Sequence, residues 1–214
     1  MTVTRLIVGV SGSSAPQLGL AVLRALREVP DIEIHLVVSR GAERSIAAEM
    51  GDAAAAQFTA LADINYQPDN LGAAIASGSF RTAGMVVVPC SMRTLAAVAT
   101  GNTGDLLTRA ADVCLKERRR LVLVTRETPL NLIHIRNMET VTLAGGVIMP
   151  PVPAFYHRPE TIEDLLRQTA GKVLDQFGIE HRLFRRWEGF PDAAPPDGVL
   201  DGPAGGPARH PSVG

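Results

Sequence analysis

Five short apolar runs punctuate the chain: Leu6–Val10, Ile32–Val38, Met85–Val88, Leu121–Val124 and Gly146–Met149. They are continuous rather than alternating, the pattern of strands buried on both faces. Between them the spacing turns helical. Leu18–Leu26 repeats Leu at 20, 23 and 26, Arg40–Glu49 follows the second run, and Leu106–Arg119 and Thr161–Phe177 keep amphipathic periodicity. Strands alternating with helices predict an α/β fold with a doubly wound parallel sheet and right-handed crossovers. In such folds ligands bind beyond the carboxyl ends of the strands. Polar clusters that follow an apolar run are therefore the places to look for chemistry.

Composition narrows the classes without choosing a function. At 214 residues, 46% hydrophobic and 20% charged, the chain suits one domain with a substantial core. A formal net charge of -1 argues against coating nucleic acid by bulk charge. No run approaches the roughly 18 apolar residues of a membrane span. Cys90 and Cys114 share no CxxC pairing and no metal-ligand spacing with the five histidines. They read as buried free thiols in a reducing cytoplasm, and no metal site is expected. From Gly189 onward there are six Pro and six Gly in 26 residues. The division expected is a domain over 1–188 and a disordered Pro/Gly-rich tail over 189–214.

The first polar cluster is Ser11-Gly12-Ser13-Ser14-Ala15-Pro16, directly after Leu6–Val10. Proline suits the first helical position, so a helix is expected from Ala15 or Pro16, with Ser13 or Ser14 as its N-cap. Free backbone N–H groups, the positive helix end and the hydroxyls would then converge as an anion site. The loop is neither GxGxxG nor a lysine-bearing P-loop. It has the character of a phosphate loop and no more than that.

Three further segments are specific. They are ASGSFRTAGMVVVPCSMRTLAAVATG (76–101), LLTRAADVCLKERRRLVLVTRETPL (106–130) and GGVIMPPVPAFYHRPETIEDLLRQTAGKVLDQFGI (145–179). With VGVSGSS they closely resemble the UbiX-type flavin prenyltransferases over residues 4–188. The resemblance implies a flavodoxin/Rossmann-like three-layer sandwich assembled into a homododecamer. It implies metal-free transfer of a dimethylallyl group from dimethylallyl monophosphate to N5 and C6 of reduced FMN. The product, prenylated FMN, is the cofactor of UbiD-type decarboxylases.

Residue by residue, the resemblance assigns the flavin to Gly12, Ser13, Ser14, Ser39, Ser77, Ser91, Met92, Arg93, Thr94 and Arg126. It assigns the dimethylallyl phosphate to Arg109, Lys116, Arg126, Tyr156 and Lys172. Glu49, Glu127, Ser14 and Trp187 match other active-site positions. The chemistry has a use for each type. Breaking an allylic C–O bond expels an anion, which fixed cations stabilise. An allylic cation needs a π-rich wall, and Trp187 is the only tryptophan. Ring closure releases a proton, for which Glu49 and Glu127 are acceptors with Ser14 as relay. The chain departs from the family loop SGASGA by carrying Ser13, Ala15 and Pro16 where Ala, Gly and Ala are usual. The Arg118–Arg120 cluster is expected to be a solvated helix end or an oligomer contact.

Two rivals share the fold. A flavin-dependent cysteine decarboxylase resembles this chain but carries PASANT in place of PCSMRT, together with a catalytic histidine after the first helices. A flavodoxin-like FMN carrier would need neither the basic cluster nor the Tyr156 segment.

Overall fold

The computed structural model describes residues 3–190. Six parallel strands form one sheet in the order β3-β2-β1-β4-β5-β6. They are β1 (Thr4–Val10), β2 (Ile32–Val38), β3 (Ile64–Tyr66), β4 (Gly84–Cys90), β5 (Arg120–Thr125) and β6 (Val147–Ile148). Alternate side chains leave a strand on opposite faces. Leu6, Val8 and Val10 therefore enter one core and Ile7 the other. The same split separates Val122 and Val124 from Leu121 and Leu123, which is why these runs are apolar throughout.

The helices are α1 (Gln17–Arg27), α2 (Arg40–Met50), α3 (Ala55–Ala60), α4 (Met92–Thr100), α5 (Leu106–Lys116), α6 (Leu132–Leu143) and α7 (Ile162–Gln176). Buried residues of α1, α2, α3 and α7 fill one core, and those of α4, α5 and α6 fill the other. This is the expected three-layer sandwich. Strand β1 pairs with both β2 and β4, so the winding reverses between β1 and β4. The crevice beyond their carboxyl ends is the natural ligand position.

Several elements differ from the sequence reading. Strand β3 lies at the sheet edge, and its INY has no apolar run to reveal it. Helix α6 exposes Leu132, Ile133, Ile135 and Leu143, while Val141 is its buried residue. Its apolar positions therefore trace no single stripe. Helix α5 stops at Lys116 rather than Arg119, because Arg118 turns left-handed at φ 55°. Arg119 is not a solvated helix end either. Its guanidinium donates to the carbonyls of Phe80 at 2.8 Å and Gly78 at 2.6 Å, pinning the loop before β4.

Both cysteines are free and buried, as expected. Burial pushes both thiols up, Cys114 to about 12, so neither is a nucleophile at neutral pH. No helix among the described residues is long and apolar enough to cross a membrane. Most of the expected tail, 191–214, lies outside the described residues.

Candidate active site

The loop after β1 is built differently from the sequence reading. Helix α1 begins at Gln17 with Pro16 before it and no side-chain cap, so neither Ser13 nor Ser14 is an N-cap. The serines do other work. The buried Ser11 hydroxyl donates to the Pro89 carbonyl at 3.0 Å and accepts from the Ser91 amide at 2.7 Å, tying β1 to the end of β4. Ser13 donates to the Arg126 carbonyl at 3.0 Å, tying the same loop to the end of β5. Ser14 is exposed.

Ala15 then turns left-handed, φ 66°, and its amide donates to the Glu49 carboxylate at 2.9 Å. A left-handed alanine costs roughly 1 kcal/mol that glycine avoids, and glycine is what the family loop usually has here. Ala15→Gly is expected to raise stability by roughly 0.5 kcal/mol after glycine's own entropy cost. A thermal melt checks this, and an unchanged or lower midpoint would argue against the strain.

Beyond β1, β2 and β4 lies a cleft of about 850 Å³. From the sequence-predicted set it gathers Gly12, Ser39, Ser91, Met92, Arg93, Thr94 and Glu127. Ser39 and Ser91 are the N-caps of α2 and α4, accepting from Ala42 at 3.1 Å and Thr94 at 3.3 Å. The N-termini of α2 and α4 therefore face one crevice, an arrangement suited to an anion, and the start of α5, capped by the Asp105 carboxylate, lines it as well. The N-terminus of α1 does not line this cleft. Gly12 also lines the cleft. A Cβ there would lie 2.8 Å from the Gly41 carbonyl carbon, so only glycine lets this loop approach α2 so closely. Glu127 accepts from the Thr128 amide at 3.0 Å and enters no ion pair among the described residues.

A second cleft, of about 530 Å³, holds Tyr156 and Trp187 with Arg158, Arg185, Arg186 and Phe190. The Trp187 ring meets Tyr156 edge-on at 6.3 Å and Phe190 at 4.9 Å. Three arginines thus surround an aromatic corner of which the sequence motifs point only to Tyr156 and Trp187. Lys172 lies nearby in the contact network, 3.3 Å from Asp175, which also binds Arg186.

Arg109, Lys116 and Ser77 form a third group. Arg109 donates to the Ala76 carbonyl at 3.1 Å and to Asp112 at 2.7 Å, while Lys116 pairs with Glu117. Ser77 hydrogen-bonds Ser79 at 2.9 Å. None of the three lines either cleft. His35, the first histidine of the chain, is fully buried between Glu33 at 2.7 Å and Tyr66 at 2.9 Å.

Comparison with known proteins gives this geometry its context. A family model described as Flavoprotein matches residues 1–173. The flavin prenyltransferase UbiX of Neisseria meningitidis serogroup B is 53% identical over 190 residues, covering 89% of this chain and 100% of that protein. The chain belongs to the UbiX family of flavin prenyltransferases. The UbiX of Escherichia coli K12 is 51% identical over 187 residues, covering 86% of this chain and 98% of that protein. Among solved structures, AnUbiX (PadA1) in complex with FMN and dimethylallyl pyrophosphate superposes with a TM-score of 0.85. It is 50% identical and covers 88% of this chain and 100% of its own. A dodecameric FMN-dependent UbiX-like decarboxylase from Escherichia coli O157:H7 gives 0.84 at 49% identity, covering 87% and 100%. The fold and family read from the UbiX motifs are those found.

Proposed function

We propose that this chain transfers a dimethylallyl group from dimethylallyl monophosphate to N5 and C6 of reduced FMN. The observation that carries this reading is the presence of two dissimilar clefts on one chain. The first offers hydroxyl-capped helix ends and a glycine cradle, which suit a flavin phosphate. The second offers an aromatic corner ringed by arginines, which suits a short prenyl group bearing a phosphate. An FMN carrier needs only the first. A cysteine-decarboxylase reading would need PASANT where this chain has PCSMRT (89–94), and His35 is sealed in the core by Glu33 and Tyr66.

In this reading Gly12, Ser39, Ser91, Met92, Arg93 and Thr94 hold the flavin. Ser13 holds the loop to β5, so that Arg126 stands beside the flavin cleft. Tyr156, Lys172 and Arg126 bind the donor phosphate. As the C–O bond breaks, its electron pair leaves with the phosphate; Lys172 and Arg126 stabilise the departing anion by charge and Tyr156 by a hydrogen bond. Trp187 faces the allylic group with its ring. Glu127 lines the flavin cleft and takes the proton released on ring closure, with Ser14 as relay. Glu49 is already engaged with the Ala15 amide and supports the loop.

Arg109, Lys116, Ser77, Arg126 and Lys172 line neither cleft within one chain, so in this reading a second copy of the chain completes the donor-phosphate site. A homododecamer like the dodecameric relative provides one. The exposed Leu132, Ile133 and Ile135 of α6 supply apolar surface for such contacts. Ile133→Asp is therefore expected to lower the particle mass measured by light scattering, and transfer activity with it. An unchanged mass would place the contacts elsewhere.

The product passes to a UbiD-type decarboxylase, in a reducing cytoplasm that suits the two free thiols. Phosphate release tests the reaction. One phosphate per flavin is expected, only when both reduced FMN and donor are present, and the mixture should activate an apo UbiD-type enzyme. Phosphate release without flavin would point to simple hydrolysis.

A further inference from the structure

The segment that follows α7 has no helix or strand over 178–190, yet it carries Trp187. Two features hold it. The first is Asp175, near the end of α7, whose side chain is 19% exposed. Its Oδ1 accepts from Arg186 at 2.7 Å and sits 3.1 Å from Nε2 of His181. Its Oδ2 accepts from Arg186 at 3.2 Å and from Lys172 at 3.3 Å. The Arg186 pair is a two-pronged fork, the geometry that fixes a guanidinium in both position and plane. The His181 side chain is only 4% exposed, so this contact lies inside the fold rather than on its rim.

The second feature is Gly171, one turn earlier on α7. A Cβ there would come within 2.5 Å of the Phe184 ring and 2.6 Å of the His181 ring. Both rings therefore rest directly on the helix backbone. Arg186 also lies over the Phe184 ring, 5.6 Å from its centre. The next residue is Trp187, edge-on to Tyr156.

We infer that Asp175 is the positioning residue of the donor cleft. It grips Arg186 and His181 to fix the arm that sets Trp187 against Tyr156, and it holds Lys172 in the same network. Asp175 acts through these partners and does not itself line the cleft. Burial pushes its acid up, but the hydrogen bonds from Arg186, Lys172 and His181 outweigh this and hold the carboxyl at about 2. With the folded value below the unfolded one, the contribution to stability is complete above the ordinary carboxylate range. It is lost as pH falls through about 2, so the grip operates across the neutral range.

The test uses the full chain and its single tryptophan, Trp187, without flavin or donor. Asp175→Asn is expected to lower the fluorescence anisotropy of Trp187. It should also raise acrylamide quenching by up to about twofold, the limit set by a ring already 55% exposed. Asp175→Glu should recover part of both signals. The kinetic arm rests on the prenyl-transfer reading. There kcat/KM for the donor should fall by roughly 10–100-fold through a raised KM, with FMN affinity unchanged. Arg186→Gln removes the fork at a surface-exposed residue and carries the fluorescence test if Asp175→Asn does not fold. Wild-type anisotropy and quenching in these variants would overturn the inference. Absence of transfer in the wild type would sink the prenyl-transfer reading instead, while the fluorescence still decides the grip.

Discussion

Replacing Arg126 by alanine is expected to lower kcat for prenyl transfer by roughly 10²–10³-fold with little change in melting temperature. The two halves of that expectation have separate causes. What Arg126 contributes to the fold comes from its main chain: its amide donates to the Cys90 carbonyl at 3.1 Å, and its carbonyl accepts from Ser13 at 3.0 Å. Both survive truncation to alanine. Its guanidinium forms no ion pair among the described residues, so it is available to an incoming phosphate. Arg126→Lys should restore only part of the rate, because an ammonium keeps the charge but loses the two-pronged fit to phosphate. A rate close to wild type in the alanine variant would remove Arg126 from the reaction. A large fall in melting temperature would mean that its side chain is structural after all.

Gly12→Ala carries the second large effect, this time on flavin binding. The new methyl group would meet the Gly41 main chain at 2.8 to 2.9 Å, and backbone cannot yield as a flexible side chain would. Relief requires the β1 loop to withdraw from α2, which opens the cleft that Gly12, Ser39 and Gly41 share. Overpacking of this kind costs about 1–3 kcal/mol. If the protein absorbs that strain by moving the loop, FMN affinity should fall by about tenfold or more, as read by fluorescence titration. Gly41 lines the same cleft from the other side, but a methyl there would meet Gly12 only at 3.3 Å. Gly41→Ala should therefore be the milder of the pair. Equal effects at both positions, or none, would contradict the close-approach explanation.

The sequence made the central sheet legible because β1, β4 and β5 are buried on both faces and so are written as nearly unbroken apolar runs, while β2 keeps Leu36-Val37-Val38 after Glu33 and His35. Strand β3 escaped for the opposite reason: it sits at the edge, and its INY is half polar. Helix α4 is largely alanine and threonine, and α6 turns leucine and isoleucine to the outside. The stripe of α4 is only Met92, Leu95 and Val98, too short to stand out, and α6 has none. In the site, the serines after β2 and β4 were legible as positions, but their service as the caps of α2 and α4 was not. The N-cap expected at Ser13 or Ser14 failed because Ala15 turns left-handed and delays the helix to Gln17. Arg158, Arg185, Arg186 and Phe190 were missed because they lie on segments without regular structure. The available signal was RLFRRW (182–187), three arginines crowded beside the only tryptophan. The grip of Asp175 on partners six and eleven residues away follows no helical spacing, and only the folded chain reveals it.

The most direct measurement of prenyl transfer is the mass of the flavin. Purified protein would be incubated anaerobically with reduced FMN and dimethylallyl monophosphate, and the flavin recovered for mass spectrometry. We expect FMN carrying one added five-carbon unit, formed more slowly by the Arg126→Ala and Tyr156→Phe variants. Recovery of tightly bound but unmodified FMN, with both the monophosphate and the diphosphate donor, would contradict prenyl transfer and leave the chain a flavin carrier.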